Sequence, residues 1–61
     1  MTRRLELEHS LKNHLAIVLG FAELLLEETD PADPRRPDFE EIHKAAAAAA
    51  SIVAALSTEE P

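Results

Sequence analysis

His9 is the residue best suited to chemistry in this 61-residue chain. An imidazole presents a neutral, nucleophilic nitrogen near pH 7, so it can attack a phosphoryl group directly, hold it in a labile P–N bond and pass it on. Such a site must be open to both donor and acceptor. Lys12 and Asn13 follow one helical turn later, where an ammonium can offer charge to phosphoryl oxygens and an amide can orient a ring, a phosphate or a water. The plain alternative is a surface histidine on an amphipathic helix.

Geometry depends on the element that carries these residues. The segment from about Thr2 to Glu28 reads as one helix, with good helix formers and apolar residues at steps of three and four: Leu11, Leu15, Val18, Ala22 and Leu25. At about 100° per residue, these lie within roughly 60° of Val18, while His9 lies about 180° away, on a face shared with Asn13, Ala16, Gly20, Glu23 and Glu27. Ile17, Leu19, Phe21, Leu24 and Leu26 widen the apolar sector beyond one stripe, which predicts contact with more than one neighbouring helix.

A loop over 29–37 contains three of the four prolines and precludes a continuous helix. A second helix is expected over about 38–57, opened by Asp38 and Glu41 as a capping box, or alternatively with Pro37 as a first-turn proline. Phe39, Ile42, Ala46, Ala49, Val53 and Leu56 form a heptad seam. The run Ala45–Ala50 reads either as helix propensity alone or as a site of close helix approach. Ser57–Pro61 reads as a frayed end.

Composition narrows the function classes. Twelve acids against six bases give a formal charge of −6, and the two aromatic residues are both Phe; nucleic-acid binding would need a basic face. No apolar run reaches the roughly 18–20 residues of a membrane span, and no secretory signal is visible. With no cysteine, disulfides and thiolate metal sites are excluded, which fits a cytoplasmic location. The three histidines lack metal-ligand spacing: His9 and His14 point about 140° apart and His43 lies in the other helix. The acids Glu27, Glu28, Asp30 and Asp33 read as a solvated helix end rather than a cation site. No metal and no cofactor are expected. So short a chain has a marginal core. Self-association is the expected source of further burial, giving an all-α fold in which an antiparallel hairpin dimerises into a four-helix bundle. Its expected core is Leu11, Leu15, Val18, Ala22, Leu25, Ile42, Ala46, Ala49, Val53 and Leu56.

The run His9-Ser10-Leu11-Lys12-Asn13-His14-Leu15, continued by Ala16-Ile17-Val18-Leu19-Gly20-Phe21-Ala22-Glu23-Leu24-Leu25-Leu26, resembles the dimerisation and phosphoacceptor domain of sensor histidine kinases. That family's box is a phosphoacceptor His, usually an acid, an apolar residue, a basic or polar one, Thr or Asn, often Pro, then Leu. A run of the type Ile-Leu-Gly-Tyr/Phe-Ala-Glu-Leu-Leu commonly follows, and the closest subgroup reads His-Asp-Phe-Asn-Asn-Leu-Leu. The Pro- and Asp-containing loop and Asp38-Phe39-Glu40-Glu41-Ile42 leading into an Ala-rich helix fit as well, so the resemblance covers roughly residues 5 to 56 without a gap.

The resemblance implies a homodimeric module of a two-component pathway. His9 would be the phosphoacceptor, Lys12 the basic position, and Asn13 the position that assists dephosphorylation of a partner. A receiver domain would dock around Ala16 and Gly20 and on helix two. Two positions depart from the pattern. Ser10 replaces the acid that holds the histidine in its reactive tautomer and takes its proton, and a serine hydroxyl is a poor base at pH 7; this bears against autophosphorylation and phosphatase activity. His14 stands where many members have proline, so a kink there is not expected, and it reads as a partly buried packing histidine. His43 reads as a surface residue. The family's ATP-binding domain does not follow within these residues, and a single glycine leaves no nucleotide loop. Autonomous ATP-dependent kinase activity is therefore not expected, and the phosphoryl group would come from a separate kinase catalytic domain or a phosphorylated receiver. The alternatives are a non-catalytic dimerising module that regulates a histidine kinase, and an excised fragment of a longer kinase.

Overall fold

In the computed structural model, residues 2–58 are described, with the side chains of residues 3–56. The chain forms two helices, α1 (Thr2–Glu28) and α2 (Arg36–Thr58), packed antiparallel as a hairpin, with no strand among the described residues. α1 is continuous through His14.

The turn is built from a tandem Asp-Pro pattern. Asp30 accepts the Ala32 amide on its carboxylate at 2.8 Å and the Asp33 amide on its carbonyl at 2.9 Å. Asp33 repeats the device three residues on, taking the Arg35 amide at 2.8 Å and the Arg36 amide at 3.0 Å. Pro31 and Pro34 each occupy the position after the aspartate, where a fixed φ suits a tight turn. No non-glycine residue among those described needs a positive φ.

α2 starts earlier than a cap at Asp38 would allow. The Phe39 amide already donates to the Arg35 carbonyl at 3.2 Å, which makes Arg35 the capping position. Pro37 then falls in the first turn, where its missing N–H costs nothing, and Asp38 lies beside the positive end of the helix dipole. The capping-box expectation at Asp38 and Glu41 is therefore corrected in favour of the first-turn proline.

Arg36 ties the two helices together. Its Nη1 donates to the carbonyls of Leu26 and Thr29, both at 2.9 Å, and its Nε lies 3.4 Å from Glu40. The last carbonyls of a helix lack intrahelical donors, and α1 has no basic residue in its own last turn, so the guanidinium supplies both a donor and a compensating charge. The Thr29 hydroxyl also donates to the Leu25 carbonyl.

Along the shafts the packing is thin. The buried apolar side chains among the described residues are Ala22, Ala46 and Val53. Leu15, Leu19 and Leu26 on α1 and Phe39, Ala49 and Ala50 on α2 are half-buried. One face of the alanine run thus serves close approach while Ala45, Ala47 and Ala48 stay exposed. The lane of α1 that meets α2 is Leu15–Leu19–Ala22–Leu26, displaced from the one centred on Val18. Of the ten residues expected in the core, Leu11, Val18, Leu25, Ile42 and Leu56 are exposed in the hairpin, at 49, 45, 40, 46 and 37 % of their surface.

The exposed lanes are ordered. On α1, Leu7, Leu11, His14, Val18, Phe21 and Leu25 follow steps of four and three, about 90° around the helix from the lane facing α2. On α2, Ile42, Ala45, Ile52 and Leu56 do the same, with the half-buried Ala49 completing the steps between Ala45 and Ile52. In an antiparallel pair both offsets fall on one side, so these residues form a single face; Leu5, Ile17 and Leu24 are exposed as well but lie outside it, Ile17 and Leu24 on the side of α1 away from α2 and Leu5 on the His9 side. His9, Asn13, Ala16, Gly20 and Glu23 lie on the other side, where His43 Nε2 and Glu23 Oε2 meet across the helices at 3.4 Å.

Candidate phosphoacceptor site

The site residues are carried by the first half of α1, and the helix alone sets their spacing. His9, Ser10, Lys12, Asn13, Ala16 and Gly20 are all exposed. His9, Ser10, Lys12 and Asn13 line one open depression with Leu5, Glu6 and Glu8. Ala16 and Gly20 continue the His9 face towards the turn, about 10 and 16 Å further along the axis at 1.5 Å per residue. A methyl group at Gly20 would meet nothing within 4 Å, so the hairpin itself does not require glycine there.

The electrostatics of the site are sparse. No hydrogen bond or ion pair to the His9 imidazole, to Lys12 or to Asn13 occurs among the described residues. Glu8, the neighbouring carboxylate, lies 3.2 Å from the guanidinium of Arg4. His9 therefore has solvent access and a cation one turn away, and no acid orients its ring. The arrangement can accept an electrophile from outside but supplies no strong base of its own.

The other two histidines differ. His14 is exposed in the hairpin, which corrects its expected part-burial. The lane that meets α2 runs through Leu15 and Leu19 instead, leaving His14 on the uncovered apolar face. Its Nδ1 lies 2.7 Å from the Ser10 carbonyl; a carbonyl only accepts, so Nδ1 carries a proton, and in the neutral ring Nε2 keeps its lone pair. His43 is half-buried and reaches across to Glu23.

Outside the site, Asp33 is the clearest electrostatic feature. Hydrogen bonds from the Arg35 side chain, at 3.1 and 2.9 Å, and from the Arg35 amide hold its carboxyl down to about 2. The same guanidinium sits 5.9 Å above the Phe39 ring.

Sequence reasoning missed Arg36, the Asp30/Asp33 turns and the Glu23–His43 contact. The repeated Asp-Pro pair was the available signal for the turns. Counting outward from the turn would have paired Glu23 with His43. Nothing local marks Arg36, because its role depends on where the first helix ends.

No cluster of His, Asp and Glu side chains able to hold a metal ion occurs among the described residues. No helix among them is long and apolar enough to cross a membrane. No protein-family model, curated protein or solved structure matches this chain.

Proposed function

We propose that this chain is the histidine phosphoacceptor and dimerisation module of a cytoplasmic two-component pathway, resembling the corresponding domain of sensor histidine kinases. One observation carries the reading: His9 stands exposed on the side of the hairpin opposite a face on which both helices leave an ordered apolar stripe uncovered. A second copy covering that apolar face makes a homodimeric four-helix bundle and leaves His9 in water.

The dimer is the economical occupant. The molecule measures 48 × 15 × 12 Å between Cα extremes, so its broad face is on the scale of the about 800 Å² per partner typical of stable interfaces. The face is a heptad-spaced stripe on both helices, which can pair with itself about a two-fold axis. Three buried apolar side chains among the described residues are a small core for a chain of this length.

In the transfer step, a ring nitrogen of His9 attacks phosphorus on a nucleotide held by a separate kinase catalytic domain, or on the acyl phosphate of a receiver. A P–N bond forms as the bond to the leaving oxygen breaks. The nucleoside diphosphate or carboxylate departs, and the ring proton goes to water or to a base of the partner. Lys12 steadies the phosphoryl oxygens and Asn13 orients the group or a water. Reversal onto a receiver aspartate, docked along Ala16, Gly20 and α2, passes the phosphate on.

The test is incubation with a phosphorylated receiver or a small phosphodonor. The wild-type chain acquires an acid-labile, base-stable phosphate and His9→Gln does not; a label that persists in His9→Gln removes His9 from the role. The absence of a carboxylate on the His9 ring favours a second reading, a non-catalytic module that pairs with itself or with a kinase's dimerisation helices. In that case biological function survives His9→Ala and fails with Val18→Asp.

A further inference from the structure

Between Leu7 and Leu25 the α1 lane of the uncovered face holds one ionisable side chain, His14, midway along an otherwise apolar stripe, while Arg3 and Asp38 stand at the far ends of the α1 and α2 lanes. We infer that His14 makes self-association proton-sensitive: the hairpin pairs through this face when the imidazole is neutral and separates when it is protonated. The inference rests on the dimer reading above and adds its regulation.

The surroundings offer a cation nothing. One turn to either side His14 neighbours Ser10, Leu11, Ile17 and Val18. Lys12, of like charge, points about 160° away around the helix. The nearest carboxylates on α1, Glu8 and Glu6, are six and eight residues off, about 9 and 12 Å along the axis. The half of α2 packed at this level, from Ala45 to Thr58, has no ionisable side chain. A second copy presenting the same face adds its own His14, again a like charge. With Nδ1 donating to the Ser10 carbonyl at 2.7 Å, the neutral ring already satisfies its donor inside its own helix. It can be covered without leaving an N–H unpaired, whereas the imidazolium adds a second donor and a charge that must be desolvated. The sign follows: protons bind the separated chains and are excluded from the pair, so acid favours separation.

Imidazole charge changes between pH 5 and 8, and each dimer excludes two protons. Sedimentation equilibrium of the full chain, with helicity followed by circular dichroism, tests this. The dissociation constant of the wild type rises about 100-fold from pH 8 to pH 5.5, and His14→Leu pairs more tightly and changes less than about threefold over the same range. His9 lies on the opposite face, and protonation of His43 strengthens its contact with Glu23, so neither reproduces the effect. A wild-type dimer indifferent to pH, or the same pH response in His14→Leu, overturns the inference and leaves the dimer standing. A chain that is monomeric at every pH overturns both.

Discussion

In the turn, from Thr29 to Arg36, amides, carbonyls, carboxylates and two guanidinium groups answer one another within the chain. Along the shafts the balance is reversed: Leu7, Phe21 and Ile52 expose about 60 % of their surface, and among the described residues burial is confined to two alanines and a valine. The turn is satisfied by its own hydrogen bonds; the shafts are not satisfied by each other. Directional bonds between near neighbours can fix the geometry of a short hairpin connection, but they cannot substitute for apolar area, which here calls for a second surface. The same asymmetry is what the proposed function uses, in which one side of α1 would serve pairing and the other carries the exposed imidazole.

The largest effect is expected on the shafts. Val18→Asp puts a charge in the middle of the uncovered stripe at a position the single hairpin leaves 45 % exposed. It should weaken self-association at least ~100-fold, about 2.7 kcal/mol, while helicity at high concentration persists; sedimentation equilibrium reads both the loss and any failure of it. A turn substitution should behave differently. Arg36→Ala removes the donor to Leu26 and Thr29 and should cost about 1–2 kcal/mol in thermal unfolding, with the dimer dissociation constant at neutral pH little altered. If Arg36→Ala instead abolishes pairing, the turn and the shafts are not separable.

A smaller effect, of opposite sign, is expected at Gly20. Alanine there meets no neighbour and should stabilise the helix by about 0.5–1 kcal/mol, measured as a rise in melting temperature. If Gly20 serves partner docking, transfer to a receiver slows in the same variant. The smallest is the acid response of the turn. The Asp33 carboxyl, held down to about 2 by Arg35, contributes stability that is present above its ordinary value of 3.8 and fades as pH falls from about 4 towards 2. Asp33→Asn should remove that part of the acid dependence and leave the pH response of self-association unchanged.

How much of this was legible in the residues depends on whether the signal was local. The hairpin follows from two helical periodicities broken by Pro31, Pro34 and Pro37, all of which act on their immediate neighbours. Exposure of His9 follows from its angle to the apolar sector. Which of the adjacent apolar lanes meets α2 was not legible: lanes through Val18 and through Leu19 are about equally apolar, and the choice is made by the turn, which sets the rotation of one helix about the other. The expected core therefore divides, Ala22, Ala46 and Val53 within the hairpin and Leu11, Val18, Leu25, Ile42 and Leu56 on its open face. His14, expected to be partly buried, is exposed in the single hairpin for the same reason. Arg36 and the Glu23–His43 contact link residues ten or more apart and become visible only with the register in hand.

The three imidazoles provide the most direct test, because each occupies a different environment: His9 on the side away from the uncovered apolar stripe, His14 within that stripe, His43 against Glu23. The measurement is site-resolved mapping of phosphohistidine by mass spectrometry at neutral pH, after exposure to a phosphorylated receiver. The account predicts phosphate on His9 with His14 and His43 unmodified; phosphate on His14, or spread evenly over all three, would contradict it.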